Sequence, residues 1–309
     1  MVVTKYLKLN IFLKPFIQYI FILFIILDCY NNQGSSNATL CDKMSFVNKV
    51  VLITGASAGI GATTAELFAK EGASVALVGR NETKLNAVAQ RCQKLGANTL
   101  TIKADVSIDQ DADTIVKKTI DKFGKLDVLV NNAGILREAA IMADNFLESY
   151  DEVMNTNIRG PVRITRSAVP SLMETKGNIV NVSSIAGTNS KRPNFIAYKT
   201  SKAALNHFTR CVAVELAVNA ICPGPVPTDL FDAAGLSEPL LEHLVKTTVL
   251  GKAAEAGEVA DLIAFLASDK AKSVTGSNYD IDNGMLSDII AGDSNTKPLN
   301  VINKAKRII

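Results

Sequence analysis

Val50-Val-Leu-Ile-Thr-Gly-Ala-Ser-Ala-Gly-Ile-Gly61 is the stretch on which the reading of the chain turns. Val50 to Ile53 is an unbroken β-branched and aliphatic run, as expected for a strand covered on both faces. Gly55, Gly59 and Gly61 then offer a tight turn, close backbone approach to a pyrophosphate, and close packing of helix on sheet. A helix starting near Ile60 aims its N-terminal N–H groups and partial positive charge at the same spot, which suits an anion. Taken alone, the same glycines also describe an ordinary turn.

Outward from this unit the chain alternates short aliphatic runs with segments of helical period. Ser74–Val78, Thr99–Lys103, Leu126–Val130, Asn178–Ser183, Val218–Ile221 and Ser277–Asp280 read as further strands. Helices are expected from Ile60, from an Asn81 cap to Leu95, along the stripe Ile115 to Phe123, and over 158–175, 198–217 and 258–268. That alternation predicts βαβ units and a parallel sheet. One open α/β sheet can hold about 250 residues. The 309 residues therefore divide into an extension over 1–43, a domain over 44–287 and a polar tail over 288–309.

The net charge of +3 comes without a basic stripe, so nucleic acid is not an expected partner. Five cysteines form no CxxC pair and the two histidines stand far apart, so neither a metal site nor a disulfide framework is expected. Lys5, Lys8 and Lys14 precede an apolar run, Phe16 to Leu27, that resembles a signal peptide or signal anchor. Three readings stay open: a membrane anchor through 11–27, a cleaved targeting peptide, or an extension absent from the working protein, with Met44 as its start. The last implies a cytoplasmic protein. The first two imply endoplasmic reticulum membrane or lumen, where Asn81-Glu-Thr83 is a possible glycosylation site.

Further motifs follow in order: Asp105-Val106, Asn131-Asn-Ala-Gly134, Asn157, Ser184, Tyr198-Lys-Thr-Ser-Lys202 and Pro223-Gly224. With Thr54 to Gly61 they make the chain resemble the short-chain dehydrogenase/reductase family, particularly members similar to 3-oxoacyl carrier-protein reductase, from about Ser45 to Leu286. The resemblance implies a single Rossmann-type domain: a doubly wound parallel sheet of about seven strands, helices on both faces, and a dinucleotide across the carboxyl ends of the strands. It implies that Gly55, Ser57, Ala58, Gly59, Ile60 and Gly61 hold the pyrophosphate and that Asp105 and Val106 meet the adenine. Asn131, Ala133 and Gly134 would run beside the cofactor. Asn131 and Gly134 read equally as a turn that holds the sheet together. Val226 and Thr228 would contact the nicotinamide half.

Val78-Gly79-Arg80 puts a guanidinium where an acidic residue would bind a ribose 2′-hydroxyl. A permanently charged planar fork suits a 2′-phosphate, so NADP(H) is expected over NAD(H). The alternative is an exposed arginine with no cofactor role.

Hydride reaching a carbonyl carbon leaves charge on the oxygen, which calls for a proton donor and hydrogen bonds at that atom. Tyr198 is the candidate acid, but a phenol of pKa about 10 exchanges protons poorly near neutrality. Lys202, four residues on, lies on the same helix face, where its ammonium stabilises the phenolate. By the resemblance Tyr198 and Lys202 also contact the cofactor, Ser184 binds the substrate oxygen, and Asn157 holds a water chain that resupplies protons through Lys202. Phe231 to Val249, with Leu236, Leu240, Leu241 and Leu244, reads either as a mobile lid over a ketone or secondary-alcohol substrate (a 3-oxoacyl thioester, a steroid or another carbonyl) or, equally well, as ordinary packing. Association as a homotetramer or homodimer through the helices near Ile158 and Tyr198 is likewise implied.

One departure bears on function. The helix predicted to Ala217 runs straight into Val218, although reversal into a parallel strand normally takes about two to six residues. Either the last turn, roughly Val214 to Ala217, unwinds, or the chain folds poorly and is at most an inactive cofactor-binding subunit. Asp282-Asn-Gly284, Lys252 and a longer connection from Ser184 to Tyr198 are smaller departures.

Overall fold

A computed structural model describes residues 44–189, 193–235 and 238–286. The expectations for residues 1–43 and for the tail lie outside them, as does part of the connection from Ser184 to Tyr198. Among the described residues no helix is long and apolar enough to cross a membrane.

Seven strands form one sheet: β1 (Val50–Thr54), β2 (Ser74–Gly79), β3 (Thr99–Lys103), β4 (Val128–Asn131), β5 (Asn178–Val182), β6 (Ala217–Pro223) and β7 (Asn278–Ile281). Their order is β3-β2-β1-β4-β5-β6-β7 and every pairing is parallel. Direction of growth reverses between β1 and β4, which opens a crevice there at the carboxyl ends. The Rossmann-type doubly wound sheet read from the sequence is the observed one.

Period-two alternation sorts the strand residues into two cores. Val51, Ile53, Val75, Leu77, Val128 and Val130 pack against Phe68 of α1 (Gly59–Lys70), Leu85 and Val88 of α2 (Glu82–Lys94), and residues of the helix over 256–267. Val50, Leu52, Ala76, Val78 and Leu129 face the other way. They pack on Ile115 and Val116 of α3 (Asp109–Phe123) and on Ile164 and Leu172 further along the chain. Phe68, Leu52, Ile53, Leu77 and Leu129 are fully buried, and each such side chain contributes about 1.5–3 kcal/mol relative to exposure.

Two boundaries depart from expectation. The helix expected over 158–175 is preceded by α4 (Phe146–Met154), joined through a π turn over Asn155–Arg159 to α5 (Gly160–Thr175). Helix α4 buries only Ser149 and Val153, too thin a stripe to stand out as a periodic signal. The helix that carries Tyr198, α6, spans Ile196–Val212 and not Tyr198–Ala217. It stops because Val212 is followed by a turn over 213–216, closed by Glu215 N donating to Val212 O at 2.9 Å and Leu216 N to the same oxygen at 3.1 Å. Val214 projects outward, 84% exposed, and β6 begins at Ala217. The chain thus makes its missing connection out of the end of the helix, one turn of core packing being exchanged for a reversal. The end of α6 that bears Tyr198 is undisturbed. Beyond β6 come α7 (Asp229–Ala233), α8 (Glu238–Lys246) and α9 (Ala256–Ala267).

Candidate active site

A cavity of about 530 Å³ opens along the carboxyl ends of the strands. Residues that end β1, β2, β4, β5 and β6, or directly follow them, line it: Gly55, Gly79, Asn132, Val182 and Pro223. At one end it meets Ser57, Ala58, Gly59, Ile60, Arg80, Asp105 and Val106; at the other, Ser184, Tyr198 and Lys202; Ala133, Gly134, Val226 and Thr228 also line it.

The glycine turn fits a dinucleotide's pyrophosphate. Gly55 has φ +65°, which only glycine adopts without strain. A Cβ on Gly61 would stand 2.3 Å from the Gly55 carbonyl oxygen and 2.5 Å from Asn132 Nδ2, so helix and turn close in only with hydrogen there. The turn is pinned from β4: Asn132 Nδ2 donates to Thr54 O at 2.8 Å and to Gly55 O at 3.1 Å. Asn132 N and Ala133 N both donate to Thr54 Oγ1 at 3.0 Å. Asn132 and Thr54 were not singled out from sequence. Asn131 was, and its side chain is buried away from the cavity: Nδ2 donates to Asn181 Oδ1 at 2.9 Å and to Thr165 Oγ1 at 3.2 Å. Strand alternation sends the two neighbours to opposite sides, so Asn131 ties β4 to β5 and α5 while Asn132 holds the turn. Gly61 likewise sits beneath the cavity wall.

At the other end α6 brings Tyr198 and Lys202 to one face. Burial pushes the Tyr198 phenol above its usual range, and a hydrogen bond with Ser184 pulls the other way. Ser184 Oγ accepts from Ala186 N at 3.1 Å and lies 3.5 Å from Pro223 O. The Lys202 ammonium stands 5.6 Å from the centre of the Tyr198 ring and donates to Val182 O at 2.9 Å. Burial brings it down to about 8, with the Cys222 thiol acting in the opposite sense. Asn157 occupies the π turn, a geometry frequent at functional sites. Its Oδ1 accepts from Ile135 N at 2.8 Å, and its Nδ2 donates to Ile135 O and Ser201 Oγ at 3.0 Å. Ser201, also missed in the sequence, donates to Tyr198 O at 2.7 Å and so couples the π turn to α6. Asn157 is buried, and both N–H groups of its amide are used in that bracing.

A family model described as enoyl-(acyl carrier protein) reductase matches residues 55–286. A solved short-chain dehydrogenase/reductase of unknown function from Caenorhabditis elegans, crystallised with cofactor, superposes with a TM-score of 0.73 at 34% identity, over 78% of this chain and 96% of that one. The chain belongs to the short-chain dehydrogenase/reductase family.

As a short-chain dehydrogenase/reductase it is an oxidoreductase of carbonyl and alcohol groups that uses a nicotinamide dinucleotide. An uncharacterized oxidoreductase of Thermotoga maritima is 39% identical over 78% of this chain and 98% of its own length. The 3-oxoacyl-[acyl-carrier-protein] reductase of Staphylococcus aureus is 36% identical over 77% and 98%. Among solved relatives, a short-chain dehydrogenase from Burkholderia cenocepacia is in complex with NADP (30% identity, 78% of this chain and 99% of that one, TM-score 0.73). A xylitol dehydrogenase is NAD+-bound (28% identity, 77% and 99%, TM-score 0.71). The family relation carries the nicotinamide group, and solved members of the family hold it in either form.

Proposed function

We propose that the protein is an NADP(H)-dependent reductase that interconverts a ketone and a secondary alcohol, with Tyr198, Ser184, Lys202 and Asn157 as its working residues. The observation that carries this reading is the meeting of the Tyr198 phenol and Ser184 at the cavity wall, with the Lys202 ammonium one helical turn along. When held along this cavity, the nicotinamide would supply the hydride that becomes the new C–H bond, or accept it in the reverse direction. Tyr198 gives its proton to the carbonyl oxygen, so that the C=O bond becomes an alcohol. Ser184 orients that oxygen by hydrogen bonding. Lys202 lowers the energy of the phenolate left behind, since a cation in a poorly solvated site acts strongly on a neighbouring anion. Its bond to Val182 O uses one of three N–H donors and aims the ammonium. Asn157 braces the Ile135 segment and, through Ser201, α6; the water chain implied for it runs by way of Lys202.

Arg80 favours the 2′-phosphorylated cofactor: it lines the cavity just past β2, 66% exposed and 3.7 Å from Asp105. Phe231, Leu240 and Leu244 from the segment proposed as lid also line the cavity and add apolar wall to it, suited to an acyl chain or another apolar carbonyl substrate. The turn over 213–216 leaves Tyr198 and Lys202 in place, which speaks for activity over an inert cofactor-binding subunit.

The test follows NADPH oxidation by the full chain against ketones and 3-oxoacyl thioesters, with NADPH and NADH affinities measured alongside. Turnover on at least one of these and tighter NADPH binding are expected. NADPH binding without turnover on any ketone favours the inert subunit, and equal or tighter NADH binding overturns the cofactor choice.

A further inference from the structure

The NADP(H) reading leaves the charge balance at the end of β2 unfinished. Thr54 to Gly61 contains no lysine or arginine. Among the described residues the cations that line the cavity are Arg80, Lys84, Arg137, Lys199 and Lys202. The last two lie on α6 beside Tyr198, and Arg137 is held on Glu152 at 2.6 and 2.8 Å. At the end of β2 that leaves Arg80, whose Nη1 is 3.7 Å from an Asp105 carboxylate oxygen, and Lys84. A phosphate monoester carries about −1.5 to −2 charges at neutral pH. One guanidinium shared with a carboxylate does not match it.

Lys84 stands in the first turn of α2, where its backbone N–H donates to Asn81 Oδ1 at 2.9 Å, and its side chain reaches across to the first residue of α7. Nζ donates to Asp229 Oδ2 at 2.6 Å, a pair 54% and 55% exposed, and both residues line the cavity. Asp229 follows Thr228, whose methyl carbon stands 3.0 Å from where a Cβ on Gly59 would be, so the pair joins the β2 end to the loop beside the glycine turn. A pair this exposed binds weakly and is screened by salt. A dianion at similar range attracts an ammonium more strongly than a carboxylate does.

We propose that Lys84 is a second specificity-determining residue for a 2′-phosphorylated dinucleotide, held by Asp229 until the phosphate takes its place. This rests on the NADP(H) reading and adds a partner exchange to it: phosphate binding frees Asp229 and with it the start of α7.

The test uses two probes that differ only in the 2′-phosphate, adenosine 2′,5′-bisphosphate and adenosine 5′-monophosphate, titrated calorimetrically into the full chain. Lys84→Met is expected to weaken bisphosphate binding about five- to tenfold, the size of one charge-assisted contact near a surface, with monophosphate binding unchanged. Lys84→Arg retains the preference. Asp229→Asn tightens bisphosphate binding about twofold or more by removing the competitor, and that gain vanishes when Lys84→Met is added. If the wild type does not prefer the bisphosphate, the NADP(H) reading and this proposal fall together. If it does, and Arg80→Leu abolishes the preference while Lys84→Met leaves it intact or weakens both probes equally, the cofactor reading stands and the role of Lys84 is refuted.

Discussion

The two ends of the sheet treat buried charge in opposite ways. At the amino ends of β1 and β4, the Asp127 side chain is 3% exposed and accepts from Val50 N at 2.9 Å, Lys49 Nζ at 3.2 Å and Lys125 Nζ at 2.9 Å. Its own backbone joins Val50 and Asn178, so one residue staples three strands. At the carboxyl end, Lys202 is buried against a carbonyl, and among the described residues no carboxylate is paired with it. A satisfied buried charge holds the sheet together. An unneutralised one costs stability and stays available for chemistry, which is why perturbed groups gather at working sites.

Tyr198→Phe removes one oxygen, and ketone turnover should fall about 10²- to 10⁴-fold, the usual worth of a placed general acid, with the thermal midpoint nearly unchanged. Near-native turnover would move the proton source elsewhere. Asp127→Ala should do the reverse. Leaving the buried Val50 N–H without its acceptor, and removing ion pairs to two partly exposed lysines, costs about 2–3 kcal/mol in urea unfolding, while the remaining folded enzyme keeps its kcat. Asp127→Asn, which retains an acceptor for Val50 N, should lose less.

Lys202→Met should abolish turnover without lowering stability at pH 7. Burial holds the Lys202 pKa at about 8, against 10.5 for an ordinary lysine, so the folded protein releases this proton before the unfolded chain does. The cost of keeping the charge is therefore full below about pH 8, shrinks as pH rises, and is gone above 10.5. The methionine variant should gain up to about 2 kcal/mol below pH 8, after allowing for the lost hydrogen bond to Val182, and the gain should fade between those limits. A variant less stable than wild type at pH 7 would show that Lys202 is structural, as the lysines around Asp127 are.

The strands were legible in the chain because residues buried on both faces leave continuous aliphatic runs. Tyr198 and Lys202 were legible because a four-residue spacing needs only a helix to bring them together. Asn131 and Asn132 were not separable, since which of two neighbours faces the cavity depends on the phase of β4 against β1 and β5. Helix α4 escaped notice because it buries little, and the π turn that positions Asn157 has no periodic signature of its own. The shortened connection before β6 was visible as a deficit, but its remedy, the unwinding of α6 after Val212, depends on where β5 requires β6 to start.

Local pattern thus determines the sheet, the glycine turn and the tyrosine–lysine pair, because each rests on residues a few positions apart. Tertiary structure alone decides that Asn132 and not Asn131 pins the turn, that Ser201 ties the π turn to α6, and that Lys84 reaches Asp229 from 145 residues away. Contacts of that range follow from how the strands are ordered and registered, and no stretch of chain contains that information by itself.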